Sequence, residues 1–473
     1  MLLRSRHTRP AATAPQQGEH LGMVLAAAAL SMFVVQLDFF ALNLSLPVMA
    51  DELDVSTTEM QWVISGYMLS LAAFLIPGGR LGDILGRRRM LIVGIAIFGG
   101  ASAVCGAAPS AEVLIGFRIA QGMGAAILFP LCIAVVTHAF PEERRKRAIG
   151  NLYGLAAVAT AAGPFFGGFV TDALGWRWIM WINVPIAAAA IVLALVGVRE
   201  SRDESVPRQI DVRGLVAVVA GIAAVTYAVD RAADWSVVSP DTLALLVAGL
   251  ALLVVFVAIE RRVRWPLIDL SLFRNRPYVV VTLSGTVANI SFVVATFGST
   301  LYLQQVEGYS AAESGLIFLA ASAAVALAGP LSGHLGERFD IPRLMAAGIV
   351  VGALGLGVMG SGPPLGLYLA ALPVFGLGYG LGWSLSSVGT QTVVPTEQAG
   401  AASGVTLAIV IGVAGLCVAL AANLIQSIAA GGTGERAAIE DVLTVLAAAS
   451  AVCGIGLAAL SLRRSPKSAA ETT

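Results

Sequence analysis

Fourteen runs of about 20 or more mostly apolar residues follow one another along this chain. They fall at roughly 21–49, 59–79, 90–108, 113–137, 148–170, 177–198 and 212–230, then at 241–260, 278–303, 312–334, 344–361, 366–392, 399–428 and 440–461. Each is long enough to cross ~30 Å of hydrocarbon as a helix. None shows the short alternating pattern of a barrel strand. The longest hydrophilic stretch, about 199–211, is a short loop, so no separate soluble domain is expected. A soluble fold could not hide this much apolar surface. Apolar residues other than glycine make up 57% of the chain and charged residues 12%, against about 25% charged in a soluble domain. The fold class read from this pattern is an all-α integral membrane protein, which excludes a water-soluble enzyme and a disordered chain.

The lysines and arginines orient the spans. With a cytoplasmic N-terminus, 25 of the 29 fall in cytoplasmic segments: Arg4, Arg6 and Arg9 at the start, clusters at 80–89, 144–147, 199–213 and 261–276, then Arg338 and Arg343, and finally Arg463, Arg464 and Lys467. Only Arg177, Arg231 and Arg436 fall outside. Positive residues favour the cytoplasmic side, so both termini are expected there and the span count is even. The first run is too long for a secretory leader and lacks a convincing small-residue cleavage site, so it reads as the first span. Cys105, Cys132, Cys417 and Cys453 lie in apolar runs without CxxC pairing or a histidine at metal spacing. They read as small buried apolar side chains, and no metal site is expected. A net charge of zero gives no reason to expect a nucleic-acid partner, and the absence of a Walker loop argues against ATP as energy source.

The turn after the second span, Gly79-Arg-Leu-Gly-Asp-Ile-Leu-Gly-Arg-Arg-Arg89, is echoed after the tenth by Gly333-His-Leu-Gly-Glu-Arg-Phe-Asp-Ile-Pro-Arg343, with Asp340 in place of Gly86. Such self-similarity points to two parallel bundles. The expected division is a tail at 1–20, a six-helix bundle at 21–198, an inserted two-helix segment at 199–276, a second six-helix bundle at 277–462 and a tail at 463–473.

These residues resemble the major facilitator superfamily, and the fourteen spans resemble its 14-span drug:proton antiporter branch. The Gly79–Arg89 turn is similar to the family's cytoplasmic signature. Leu37-Asp38-Phe-Phe-Ala-Leu-Asn43-Leu-Ser-Leu-Pro47 resembles the branch's first-span motif. Trp62 and Tyr67, Arg118-Ile-Ala-Gln121-Gly122-Met-Gly124, Gly163-Pro164-Phe-Phe-Gly167-Gly168, and Trp176-Arg177-Trp178 through Asn183-Val-Pro185 fit further motifs in order. Matches in the second half are looser: Pro266 to Asn275, Tyr302-Leu-Gln304 and Pro395 to Gly404. The resemblance implies a major facilitator fold with two pseudo-symmetric six-helix bundles and two inserted helices.

The individual residues carry expectations of their own. Asp38 is the one carboxylate deep within a span, where a charge costs about 2.5–3.5 kcal/mol on insertion scales. Burial disfavours the charged carboxylate and a nearby cation favours it, so a residue held between the two can load and release a proton. Arg118 is the lone basic residue within a span, and with Gln121 it is expected to tune Asp38. A simple ion pair holding the bundle is the plainer alternative. Gly79, Asp83, Gly86, Arg87 and Arg88 are expected to form a conformational latch at a tight cytoplasmic reversal. Ala159, Gly163 and Gly167 recur every four residues for close helix contact, with Pro164 permitting a bend; the resemblance implies that this motif faces the opposite half and favours export. Trp176, Trp178 and Trp181 are expected at the outer headgroup layer. Phe39, Phe40, Asn43, Tyr379 and Trp383 are candidates for a substrate cavity that takes flat or cationic molecules.

The function implied is a proton-coupled exporter of hydrophobic or cationic drugs in a bacterial inner membrane, monomeric and without a cofactor. A dedicated exporter of one metabolite is the alternative. A proton symporter for uptake is a further one, against which the fifth-span motif speaks.

Overall fold

The computed structural model describes residues 21–202, 211–235, 239–263, 266–336, 338–394 and 399–462. The expected tails, Arg208, Glu337 and Pro395 lie outside the described residues. The first apolar run is helix α1 (Leu21–Ala41), a 3₁₀ turn at Leu42–Ser45, and α2 (Leu46–Glu52). A short α3 (Thr57–Met60), N-capped by Ser56, leads into α4 (Trp62–Leu85). Then come α5 (Arg87–Gly106), α6 (Ala111–Ala139), α7 (Glu142–Leu174), α8 (Arg177–Gly197), α9 (Val212–Trp235) and α10 (Pro240–Glu260). The remainder is α11 (Arg276–Leu301) with a π-helical extension at Tyr302–Val306, α12 (Ala311–Gly336), α13 (Ile341–Gly360), α14 (Leu365–Val393), α15 (Ala399–Ile428) and α16 (Glu435–Leu462).

Among the described residues, twelve helices are long and apolar enough to cross a membrane, and two bent pairs, each counted as one span, bring the number to fourteen. The bends are 47° between Thr57–Leu75 and Pro77–Leu85, and 41° between Arg147–Thr160 and Ala162–Leu174. Proline accounts for both. Pro77 gives up the hydrogen bond to the Ala73 carbonyl and Pro164 the one to Thr160, and each ring crowds that carbonyl. The protein is therefore a multi-pass, all-α membrane protein.

Helices α1, α4, α5, α6, α7 and α8 pack among themselves, as do α11 to α16. The two groups meet along two seams, α7 against α12 and α4 against α15. The pair α9–α10 packs on itself and, through α9, against α15 and α4. Only 17% of the α10 window is buried within the protein, against 67% for the first span, so α10 presents its Leu and Val side chains to lipid. Beyond the seams, hydrogen bonds tie the groups together at one end. Gln304 Nε2 donates to the Leu44 carbonyl (2.8 Å), Thr58 to Gln426 Oε1 (2.7 Å) and the Ala312 amide to Asp172 Oδ2 (3.0 Å).

Several sequence expectations change. Trp178 and Trp181 are exposed, as interfacial anchors would be, but Trp176 is fully buried, its indole donating to Glu52 Oε2 (2.6 Å). Cys105 and Cys132 are buried, whereas Cys417 is half-buried and Cys453 exposed. The reversal is shorter than the Gly79–Arg89 motif. Gly79 and Gly82 lie inside α4, where they admit Pro130 and Leu131 of α6, and the chain turns only at Gly86, with φ of 114°. The two copies of the motif also begin their second helices differently. Asp340 caps α13 itself, accepting from the Arg343 amide (3.2 Å). Gly86 has no side chain to do this, and Glu200, beyond the end of α8, accepts from the Arg88 and Arg89 amides instead (3.1 and 3.2 Å). A cap of either kind is worth about 1 kcal/mol.

Candidate functional site

The polar centre is buried within the first group of helices. Arg118 and Gln121 are three residues apart on α6 and so share a face. Both turn toward Asp38 on α1, and all three side chains are fully buried. Arg118 Nη1 donates to Asp38 Oδ2 (2.6 Å) and to Gln121 Oε1 (2.6 Å), and its Nε donates to the Val63 carbonyl of α4 (3.0 Å). Gln121 Nε2 donates to Asp38 Oδ1 (3.2 Å). A buried ion pair repays its desolvation only when its remaining donors and acceptors are met, and most of them are met here.

Two further residues complete the centre, and their roles are not readable from the sequence. Asn183 of α8 donates to Asp38 Oδ1 (2.6 Å) and to Ser102 Oγ of α5 (3.0 Å), while Ser102 donates to the Met180 carbonyl (2.9 Å). Five helices thus supply the carboxylate and its surroundings. The Arg118 guanidinium lies 4.2 Å from the centroid of the Tyr67 ring, which is also fully buried. Arg118 Nη2 and the Tyr67 hydroxyl have no hydrogen-bond partner. The guanidinium therefore keeps one donor in reserve, and Tyr67 contributes its ring face alone. Tyr67→Phe is expected to leave transport within about twofold of wild type, whereas Tyr67→Ala removes a desolvated cation–π contact worth about 2 kcal/mol. Substrate-flux assays on the two variants check this.

The cavity candidates separate into distinct positions. Aromatic rings form a continuous series, Tyr67–Phe39–Phe40–Phe292–Phe375–Tyr379, with successive centroids 6.0, 4.9, 6.2, 5.4 and 5.5 Å apart. Its Phe40–Phe292 step joins α1 to α11, so the series runs from the polar centre into the second group of helices. Tyr379 does not front a cavity as expected: it is enclosed, its hydroxyl bonded to Ser450 (2.7 Å) and its ring against Gly352. Trp383 is half-buried and among the described residues makes none of these ring contacts. Asn43 is buried in the 3₁₀ turn, donating to the Phe39 carbonyl (3.2 Å) while its Oδ1 lacks a partner.

The α7 motif faces two ways, not only across to the other half. A Cβ on Gly163 would stand 2.5 Å from Phe40 Cβ, and one on Gly167 would overlap the Ala41 carbonyl, so these two glycines seat α1. Gly168 and Pro164 face the second group: a Cβ on Gly168 would overlap the Ala311 carbonyl, and Gly315 packs on the Pro164 carbonyl. The break in α1 follows directly after Ala41, whose carbonyl Gly167 of α7 packs against. At the reversal, Asp83 pairs with Arg87 (2.8 Å) one turn on, and Arg88 donates to the Leu195 carbonyl. Together with Glu200 these contacts bind the turn to the end of α8.

A family model described as Major Facilitator Superfamily matches residues 28–419. The chain is 35% identical over 390 residues to a protein named multidrug resistance protein Stp from Mycobacterium tuberculosis, covering 81% of this chain and 72% of that one. It is 32% identical over 385 residues to the tetracenomycin C resistance and export protein of Streptomyces glaucescens, covering 80% and 71%. A crystal structure of a POT family transporter in complex with 5-aminolevulinic acid shares the fold, with a TM-score of 0.68 at 13% identity over 95% of this chain and 98% of that one.

Proposed function

The chain belongs to the major facilitator superfamily, and from that premise we propose that it is a proton-driven exporter of hydrophobic or cationic compounds, drugs and antibiotics among them. The observation that carries the proposal is the enclosed Asp38 carboxylate, which accepts hydrogen bonds from Arg118, Gln121 and Asn183 on two other helices. A proton from outside water that binds Asp38 removes the charge that holds Arg118. Nη1 keeps Gln121 Oε1, Nε keeps the Val63 carbonyl, and the free Nη2 offers a new donor. Loss of the proton to the cytoplasm restores the pair. Each cycle thus carries one proton inward through a rearrangement of α1 against α6 and α8. Nothing is covalently altered, and no cofactor or ATP takes part.

In this proposal two six-helix halves, 21–198 and 277–462, rock about their seams, with the inserted pair at 199–276 between them in sequence. With 25 of 29 basic residues on the cytoplasmic side, both termini face the cytoplasm of a bacterial inner membrane. The ties from Gln304 to Leu44 and from Asp172 to Ala312 then lie on the outer face, and this conformer is closed outward. The aromatic series from Phe39 to Phe292 gives flat apolar or cationic substrates a surface at the join of the halves, and a monomer contains every part. Gly168→Ala is expected to push α12 from α7 and to raise labelling of a cysteine placed at Asp172 by an impermeant maleimide severalfold.

Relatives named for resistance and export support outward transport. A second reading, a dedicated exporter of one metabolite, is favoured by the relative named for tetracenomycin C. Inverted vesicles separate the two readings. A broad exporter accumulates ethidium when an imposed pH gradient drives it, and collapse of that gradient releases the dye. Proton-driven movement of a single cellular product without movement of ethidium selects the dedicated exporter.

A further inference from the structure

The contact between the inserted pair and α4 contains a second group of buried charges. Glu260, at the end of α10, is 4% exposed; its Oε2 accepts the Ile268 amide (3.0 Å) and its Oε1 has no hydrogen-bond partner. Asp211, just before α9, accepts the Gly214 amide at Oδ1 (3.0 Å) and leaves Oδ2 buried without a partner. The two free oxygens are neighbours over Gly214: a Cβ there would overlap Asp211 Oδ2 and stand 3.0 Å from Glu260 Oε1. Arg80 of α4 donates Nη1 to the Pro266 carbonyl (3.3 Å) in the same loop, and its Nε is buried and free.

We propose that Asp211 and Glu260 form a second proton-binding site, holding one proton between their facing oxygens beside Arg80. Two like-charged carboxylates crowding the same glycine, both partly or wholly withdrawn from water, cannot readily ionise together. A proton taken from cytoplasmic water becomes the hydrogen of one carboxyl and donates to the free oxygen of the other. The pair then carries one negative charge, which Arg80 balances. Its loss to water leaves two negative charges against one positive, and the carboxylates separate. The charged residues on and beside these elements are Asp211 just before α9, Arg213 on it, Arg80 on α4, Arg261 and Arg262 after α10, and Asp269 and Arg274 around the following 3₁₀ segment. Of these, Asp211 and Arg80 act on Glu260, and α15 carries no charged residue.

The site holds α4 beyond its 47° bend, in the segment Pro77–Leu85 that leads to the Gly86 reversal. The inserted pair, α4 and α15 also line a partly open apolar cavity of about 320 Å³, with Pro77, Phe256, Leu267 and Gly412 among its walls. The inserted helices thereby act as a clamp on α4 that responds to cytoplasmic pH.

The test uses full-length Asp38→Asn protein in lipid nanodiscs, so that failure of the Asp38 assignment can neither create nor hide the signal. Infrared difference spectra across a pH titration are expected to show one protonated-carboxyl band that belongs to this pair. Glu260→Gln should remove it and Asp211→Asn should shift it, since both substitutions keep the amide-accepting oxygen. In an otherwise wild-type background, Glu260→Gln should flatten the dependence of transport on cytoplasmic pH. A band that survives Glu260→Gln, or one governed by sodium at constant pH, would overturn the proposal.

Discussion

Asp38→Asn is expected to abolish uphill transport while leaving the protein folded. Asparagine retains the shape and an acceptor oxygen for Arg118, whose guanidinium keeps the Gln121 and Val63 acceptors and the Tyr67 ring, and a turned Asn183 amide can accept from the new NH2 group. Asparagine cannot bind and release a proton in the neutral range, so the two gradients become uncoupled. For an uncharged substrate, one charge moving through 100 mV carries ~2.3 kcal/mol, and ~1.4 kcal/mol is a tenfold ratio, so each proton sustains an accumulation of about forty-fold; one-for-one exchange with a monocation moves no net charge and draws on the pH gradient alone. The variant should fall from that ratio to none. It should still exchange labelled for unlabelled substrate at equal concentrations, because downhill exchange needs no proton. Steady-state accumulation and equilibrium exchange, measured on the same vesicles, distinguish loss of coupling from loss of folding.

The second large effect is expected at Arg118. Arg118→Ala leaves a fully buried carboxylate without its cation, and breaking a buried pair from one side costs about 3–5 kcal/mol. A collapse in the yield of folded protein is expected, with partial recovery in the double variant Asp38→Asn/Arg118→Ala, which has no charge to strand. Arg118→Lys is the more informative change. Lysine keeps the charge, and an ion pair serving only to hold the bundle together would tolerate it. The observed guanidinium, however, reaches Asp38, Gln121 and the Val63 carbonyl in one fork and lies over Tyr67. An ammonium has neither that planar geometry nor the stacking face. Loss of one hydrogen bond to a charged group, about 1.5–3 kcal/mol, lowers transport by roughly tenfold or more. Folded yield by size-exclusion chromatography together with initial transport rate checks both variants.

The fold was largely legible because a bilayer demands long apolar runs, and such runs are conspicuous in sequence. Asp38 and Arg118 were legible for the same reason, as the isolated charges within those runs. Asn183 and Ser102 were not, because neutral polar residues are cheap enough in a span to occur without function. Which of them meets Asp38 depends on how α5 and α8 rotate against α1. The division of labour in the α7 motif was hidden too: glycines at a four-residue spacing mark a close approach without naming the partner, and Gly167 and Gly168 face different helices. Tyr379 and Trp176 show the limit of residue type as a guide. Each has a polar atom that suits a cavity or a headgroup layer, but Ser450 satisfies the Tyr379 hydroxyl in the interior and the exposed Glu52 satisfies the Trp176 indole. Where the second turn has Asp340 the first has Gly86, so the first needs a cap from Glu200, more than a hundred positions away, which local sequence could not indicate.

The most direct test is proton movement driven by substrate alone. Proteoliposomes loaded with ethidium and a trapped pH-sensitive dye, diluted into dye-free buffer at equal pH and with no membrane potential, start with a substrate gradient only. As ethidium leaves, an antiporter working through Asp38 brings protons in and acidifies the interior in step with the loss of dye, and Asp38→Asn shows no pH change. Ethidium leaving wild-type vesicles without any proton movement, or an equal pH change in Asp38→Asn, would contradict proton exchange at this carboxylate.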